Sequence, residues 1–146
     1  MYECKHFDIK EFVSEETYQA RGELCWRFFN PYLLRSADIL REIYGQMIIN
    51  TWSLSDSVQQ AYGNRTESGL RTPAMENYSQ YSSHSHANAF DALFRDVTAE
   101  EVRADIINHK IELPAPVILE CTIKGKQIGW LHLATGNVDE ITELHL

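Results

Sequence analysis

The stretch Ser82 to Asp91, SSHSHANAFD, sets an imidazole at His84 and a carboxylate at Asp91, with small residues (Ser85, Ala87, Ala89) leaving room around both. Helical ligands stand three or four residues apart on one face, and this pair does not. The spacing predicts instead a loop that delivers His84 and then enters a strand, Ala89 to Arg95. On such a strand Ala89, Asp91 and Leu93 share one face and Phe90, Ala92 and Phe94 the other. An acid flanked by apolar residues needs a cation, a set of donors or a metal, because a buried carboxylate left alone is costly or stays protonated. Zinc takes neutral imidazole and carboxylate oxygen, and a catalytic zinc usually has three protein ligands and one open position. The candidate third ligand is His132 in IGWLHLATG, an apolar stretch in which Ile128, Trp130, His132 and Ala134 alternate with Gly129, Leu131 and Leu133. Taken alone, a strand histidine is more often a hydrogen-bonded core or surface residue than a ligand, so spacing by itself leaves the metal site a minority reading.

Three motifs taken together shift that weighting. Ser82-x-His84-x-x-Ala87-x-Ala89-x-Asp91 resembles the S-x-H-x-x-G-x-A-x-D signature of the zinc D-alanyl-D-alanine carboxypeptidases, phage peptidoglycan endopeptidases and hedgehog signalling domains. Trp130-Leu131-His132 resembles the late W/F-x-H strand that supplies their third ligand. Ser68-Gly69-Leu70-Arg71-Thr72-Pro73 is similar to their S-G-Y-R-S-P segment, whose arginine lines the substrate site. The matches fall in family order, and the resemblance runs from about Asn30 to Thr135. It implies zinc held by His84, Asp91 and His132, Arg71 beside the substrate, and hydrolysis of an amide bond in peptidoglycan stem peptides. Read without the resemblance, Arg71 is an ordinary surface arginine paired with Glu67 or Glu76.

Two positions depart from the pattern. Many family members carry an acid three residues before the last histidine, where this chain has Gly129, which has no side chain to accept a proton. Glu120 in VILECTI is the expected replacement if its strand pairs with the His132 strand; its other reading is a solvent-facing strand acid. Ala87 stands where the family commonly has glycine, which is tolerable if the backbone there needs no positive φ. The competing reading is a non-catalytic zinc-binding or virion structural domain that has lost its general base. His86 is excluded from the ligand set and allowed a supporting or substrate role, and His6, His109 and His145 are left as ordinary residues.

With 146 residues the chain fits one domain, 1–146, able to bury a substantial core. Lys and Arg number 13 against 21 Asp and Glu, a formal charge of −8 without any basic run, which argues against a general nucleic-acid binder. That balance also means that an anionic cell-wall polymer must be gripped locally rather than by bulk attraction. No apolar run approaches the ~18 residues of a membrane span, and the N-terminal MYECKHFDIK has no apolar h-region of a secretory signal. Cytoplasmic synthesis is expected, followed by release at lysis or packaging in a virion. The three cysteines, Cys4, Cys25 and Cys121, are unclustered and read as buried free thiols.

The positioning elements follow from periodicity. Pro31 opens a core helix with Leu33, Leu34, Ala37, Leu40, Ile43 and Tyr44 at helical spacing, stopped at Gly45. Gln46 to Thr51 reads as a buried strand. Residues 52–83 form a long polar loop that carries Arg71 and runs into His84; long loops are usually functional or disordered. Thr98 to Glu101 is a capping box opening a helix to about Lys110. Pro116 to Lys124 and the His132 stretch form a hairpin about Gly125, and Ile141 to Leu146 adds an edge strand. A short helix and turns are expected over residues 5–29. These elements predict an α+β domain with a small, mostly antiparallel sheet and helices packed on it, a hedgehog/DD-peptidase-like arrangement by resemblance.

Overall fold

In the computed structural model, which describes residues 1–146, the N-terminal 30 residues wrap around the domain. Helix α1 (Glu15–Arg21) is capped by the Ser14 hydroxyl and flanked by 3-10 turns at Ile9–Glu11 and Gly22–Phe28. These turns bring Phe12 into edge contact with Phe7, Phe29 and Phe90 at centroid distances of 5.4, 5.5 and 6.5 Å. Helix α2 (Pro31–Tyr44) begins and ends as expected: the Asn30 side chain accepts from the Tyr32 amide, Pro31 stands in the first turn, and Gly45 adopts φ 79°. Its buried face is Leu33, Leu34, Ala37 and Leu40, whereas Ile43 is exposed. Asp38, also buried, accepts from the Tyr2 hydroxyl and the amides of Lys5 and His6, which fastens the N-terminus to α2.

The sheet has five strands in the order β1-β2-β4-β3-β5: β1 (Met47–Ile48), β2 (Ala89–Phe94), β3 (Val117–Ile123), β4 (Lys126–Thr135) and β5 (Thr142–His145). All neighbours are antiparallel except β5, which runs parallel to β3 at the edge. The β3–β4 hairpin turns at Lys124 and Gly125, both with positive φ (51° and 72°), the conformation that a two-residue hairpin loop demands. Helix α4 (Ala99–Ile107) carries the expected Thr98/Glu101 capping box but stops three residues short of Lys110, and His109 takes φ 54°. Phe90, Ala92, Leu131, Leu133, Val117 and Leu119 form the buried sheet face and join one core with residues of α2 and α4. The expected α+β architecture with a mostly antiparallel sheet is the observed one.

Two local expectations are corrected. The strand expected over Gln46–Thr51 pairs only at Met47 and Ile48, although Ile49, Asn50 and Thr51 remain buried. The buried Asn50 amide draws the chain away: it donates to the Val13 carbonyl and accepts from the Ser68 amide, and Ser68 takes the place beside β2 by accepting from the Asp91 amide. The 52–83 loop is also less irregular than its composition suggested. It contains α3 (Asp56–Tyr62), and the Gln59 amide reaches the carbonyls of Thr51, Trp52 and Leu54. No helix is long and apolar enough to cross a membrane. All three cysteines are free; Cys25 and Cys121 are buried and Cys4 is partly so.

Candidate metal centre

Strand register builds the first part of the site. Asp91 on β2 lies opposite His132 on β4, and Glu120 on β3 lies opposite His132 from the other side, so the three form one row across the sheet. Within that row, His132 Nδ1 is 2.8 Å from Asp91 Oδ1 and 3.9 Å from Glu120 Oε2. The row sits on the face opposite the Phe90–Leu131–Leu119 core, because side chains alternate along each strand.

His84 arrives from outside the sheet. The 3-10 turn Ser83–His86, capped by the Ser82 hydroxyl, carries the His84 ring into the interior, where it is 2% exposed. Its Nδ1 is 2.8 Å from the Gly69 carbonyl. A carbonyl only accepts, so Nδ1 carries the proton and Nε2 of the neutral ring keeps a lone pair. That Nε2 stands 3.2 Å from His132 Nδ1 and 3.3 Å from Asp91 Oδ1. The loop that supplies the carbonyl is held by backbone contacts: the Leu70 amide donates to Phe12, and the Arg71 amide donates to His84. A Cβ at Gly69 would overlap the Phe12 carbonyl, so this approach requires glycine.

Three donor atoms thus converge from separate elements. Tetrahedral zinc with nitrogen and oxygen ligands at about 2.0–2.1 Å sets those ligands about 3.3 Å from one another; the separations of 3.2 and 3.3 Å match that spacing, and the third, His132 to Asp91 at 2.8 Å, is a hydrogen-bond distance that would open by about 0.5 Å around an ion. His84, Asp91 and His132 therefore form a group able to hold a metal ion. Asp91 is prepared to be a ligand. Burial pushes its carboxyl up, but the adjacent His132 and His84 rings, which in the metal-free site favour the ionised form when protonated, outweigh burial and hold it well below the usual carboxylate range. A carboxylate that stays ionised and an imidazole fixed in one tautomer by a backbone carbonyl are what metal ligation requires.

Arg71 and Glu120 are both close to this group. Arg71 takes neither of the acid partners expected of a surface arginine: Nε donates to the Glu67 backbone carbonyl and Nη2 to Asp91 Oδ2 at 3.0 Å. It grips the carboxylate oxygen turned away from His132. Glu120 has a side chain only 14% exposed, so it is not a solvent-facing strand acid. Gly129 is exposed and a Cβ there would meet nothing within 4 Å, so no carboxylate replaces the missing one at that position. Ala87 takes φ 53°, the left-handed region, so this departure from glycine is strained after all.

The other histidines divide as expected with one exception. His86 is exposed and bonds to the Gln80 carbonyl, away from the cluster, and His6 pairs with Glu42 at 2.8 Å. His145 is not isolated: with Cys121 and Glu143 it forms a second, mostly exposed group of ligand type on β3 and β5. Two contributors to the main site carry no sequence signal of their own, Asn50, which places Ser68, and the Gly69 carbonyl, whose role depends on backbone direction. No family model, curated protein or solved structure matches the chain, so the resemblance to the zinc peptidases rests on the sequence motifs alone.

Proposed function

We propose that the chain is a zinc-dependent peptidase acting on an amide bond of peptidoglycan stem peptides. The observation that supports this most strongly is the convergence of His84 Nε2, Asp91 Oδ1 and His132 Nδ1, separated by 2.8, 3.2 and 3.3 Å, on a sheet face that the core leaves free. Zinc, when bound there, supplies Lewis acidity, lowering the pKa of a coordinated water to about 7 and polarising a carbonyl. The residues around it divide the remaining work. Glu120, on the same row as His132, is placed to take a proton from the attacking water and pass it to the leaving amine. Arg71 fixes the Asp91 carboxylate and keeps Nη1 free of the contacts made by its other two nitrogens, so it can also donate to a substrate carboxylate or a developing oxyanion.

One observation favours a second reading, a non-catalytic zinc-binding or virion structural domain. The position of the family's usual acid is Gly129, open to solvent and without a side chain. Incubating purified protein with cell-wall sacculi, with and without a chelator, while measuring metal content on the same sample, separates the two. The peptidase releases peptides in a chelator-sensitive manner and loses this with Glu120→Gln while keeping its zinc. Stoichiometric zinc without hydrolysis leaves the structural domain, and no bound zinc removes both.

A further inference from the structure

The β3–β4 hairpin changes register beside the candidate site. Near the turn, Ile123 pairs with Lys126 and Thr122 with Gln127; beyond it, Glu120 pairs with His132. From Thr122 to Glu120 is two steps along β3, while from Gln127 to His132 is five steps along β4, so β4 carries a bulge of three extra residues over Ile128–Trp130. Continued without the bulge, the turn register would set Glu120 opposite Gly129, and an odd shift also moves side chains to the opposite face. The bulge is what brings Glu120 to His132.

A bulge leaves ladder carbonyls without strand partners. Here two of them are taken by one side chain from α4. Arg103, 3% exposed, donates from Nη1 to the Trp130 carbonyl at 2.6 Å and from Nη2 to the Ile128 carbonyl at 2.8 Å, spanning Gly129. A buried guanidinium is costly unless its donors are satisfied, and this one is met by main-chain oxygens that an uninterrupted ladder would not leave free. The planar fork of arginine can reach both carbonyls at once; an ammonium cannot.

We propose that Arg103 is a positioning residue that sets the β4 register, and through it places His132 between Asp91 and Glu120. This rests on the metal-site reading for its consequence but not for its geometry. In Arg103→Gln and Arg103→Lys the fork is lost, so chelator competition should show zinc bound about 10–100-fold more weakly, the range typical for losing a residue that orients a ligand. The visible spectrum of the cobalt-substituted protein should change as well. Val102→Ala, a neighbouring core truncation on α4, lowers stability without touching the bulge and should leave affinity and spectrum unchanged. Wild-type affinity in both Arg103 variants, or equal losses in Val102→Ala, would overturn the proposal.

A metal-independent arm reads the register itself. With Arg103 present, the double variant Glu120→Cys/His132→Cys should oxidise to an interstrand disulfide in preference to Glu120→Cys/Gly129→Cys, with the bridge assigned by peptide mass spectrometry. Adding Arg103→Gln should equalise or reverse that preference. An unchanged preference, or one for the 120/129 pair while Arg103 is intact, refutes the assignment. If the wild-type protein takes up no metal, the peptidase reading falls and this arm still decides the role of Arg103.

Discussion

Arg71 Nη2 donates to Asp91 Oδ2 at 3.0 Å, while Oδ1 of the same carboxylate faces the two imidazoles. The acid is thereby divided: one oxygen is tied to a guanidinium on the polar loop and the other is directed at the candidate metal position. A metal ion held there would share with Arg71 the task of neutralising one largely buried negative charge.

Arg71→Met should therefore cost the metal-free protein about 1.5–3 kcal/mol, the range for a hydrogen bond to a charged group. The zinc-loaded protein should lose less, because the ion still compensates Asp91. Calorimetric unfolding of both forms checks this, and equal losses would mean that Arg71 does not act through Asp91.

The ligand assignment predicts a contrast between two histidines separated from His84 in different ways. His132→Ala should abolish zinc binding, whereas His86→Ala, which removes an exposed ring bonded to the Gln80 carbonyl, should leave it near normal. Elemental analysis of the purified variants decides it; equal losses in both would overturn the assignment.

Gly69 should tolerate no side chain. Its added Cβ meets the Phe12 backbone, which cannot swing aside as a side-chain end could. Gly69→Ala is expected to cost about 1–3 kcal/mol, as overpacking does, and to weaken zinc binding by withdrawing the carbonyl that orients His84. Unfolding in urea together with zinc titration measures both effects, and a variant of wild-type stability would contradict the close approach.

Glu11 predicts a pH dependence remote from the site. Burial pushes its carboxyl from 4.5 to about 7, despite the opposing Asp8 hydrogen bond and the nearby Arg41 charge. Because the folded protein favours the protonated form, this residue's contribution is fully present below pH 4.5 and is lost as pH rises to about 7. Glu11→Gln should gain on the wild type by about 1–2 kcal/mol between pH 5 and 8, allowing for partial solvent screening. A stability difference that stays constant across that range would refute the shift.

Much of the fold was legible because its signals are local. Asn30-Pro31 and Gly45 bracket α2, Thr98 and Glu101 cap α4, and Lys124-Gly125 turns the hairpin, each through contacts within a few residues. The failures fall where a distant group intervened. The expected strand at 46–51 was cut short by the Asn50 side chain binding Val13 and Ser68, and the 52–83 loop gained order from Gln59 capping carbonyls behind α3. Arg71 was marked for the site by its motif, but its partner was not, since Asp91 lies 20 residues away and reaches it only through folding.

Composition, motif order and alternation thus determined the α+β class and nominated His84, Asp91, His132, Arg71 and Glu120 as residues of one chemistry. Whether those side chains meet was decided by the tertiary structure alone. A two-residue period says which face a strand residue takes but not what stands across from it. That depends on register, and here register depends on a three-residue bulge bridged by a buried arginine from another element.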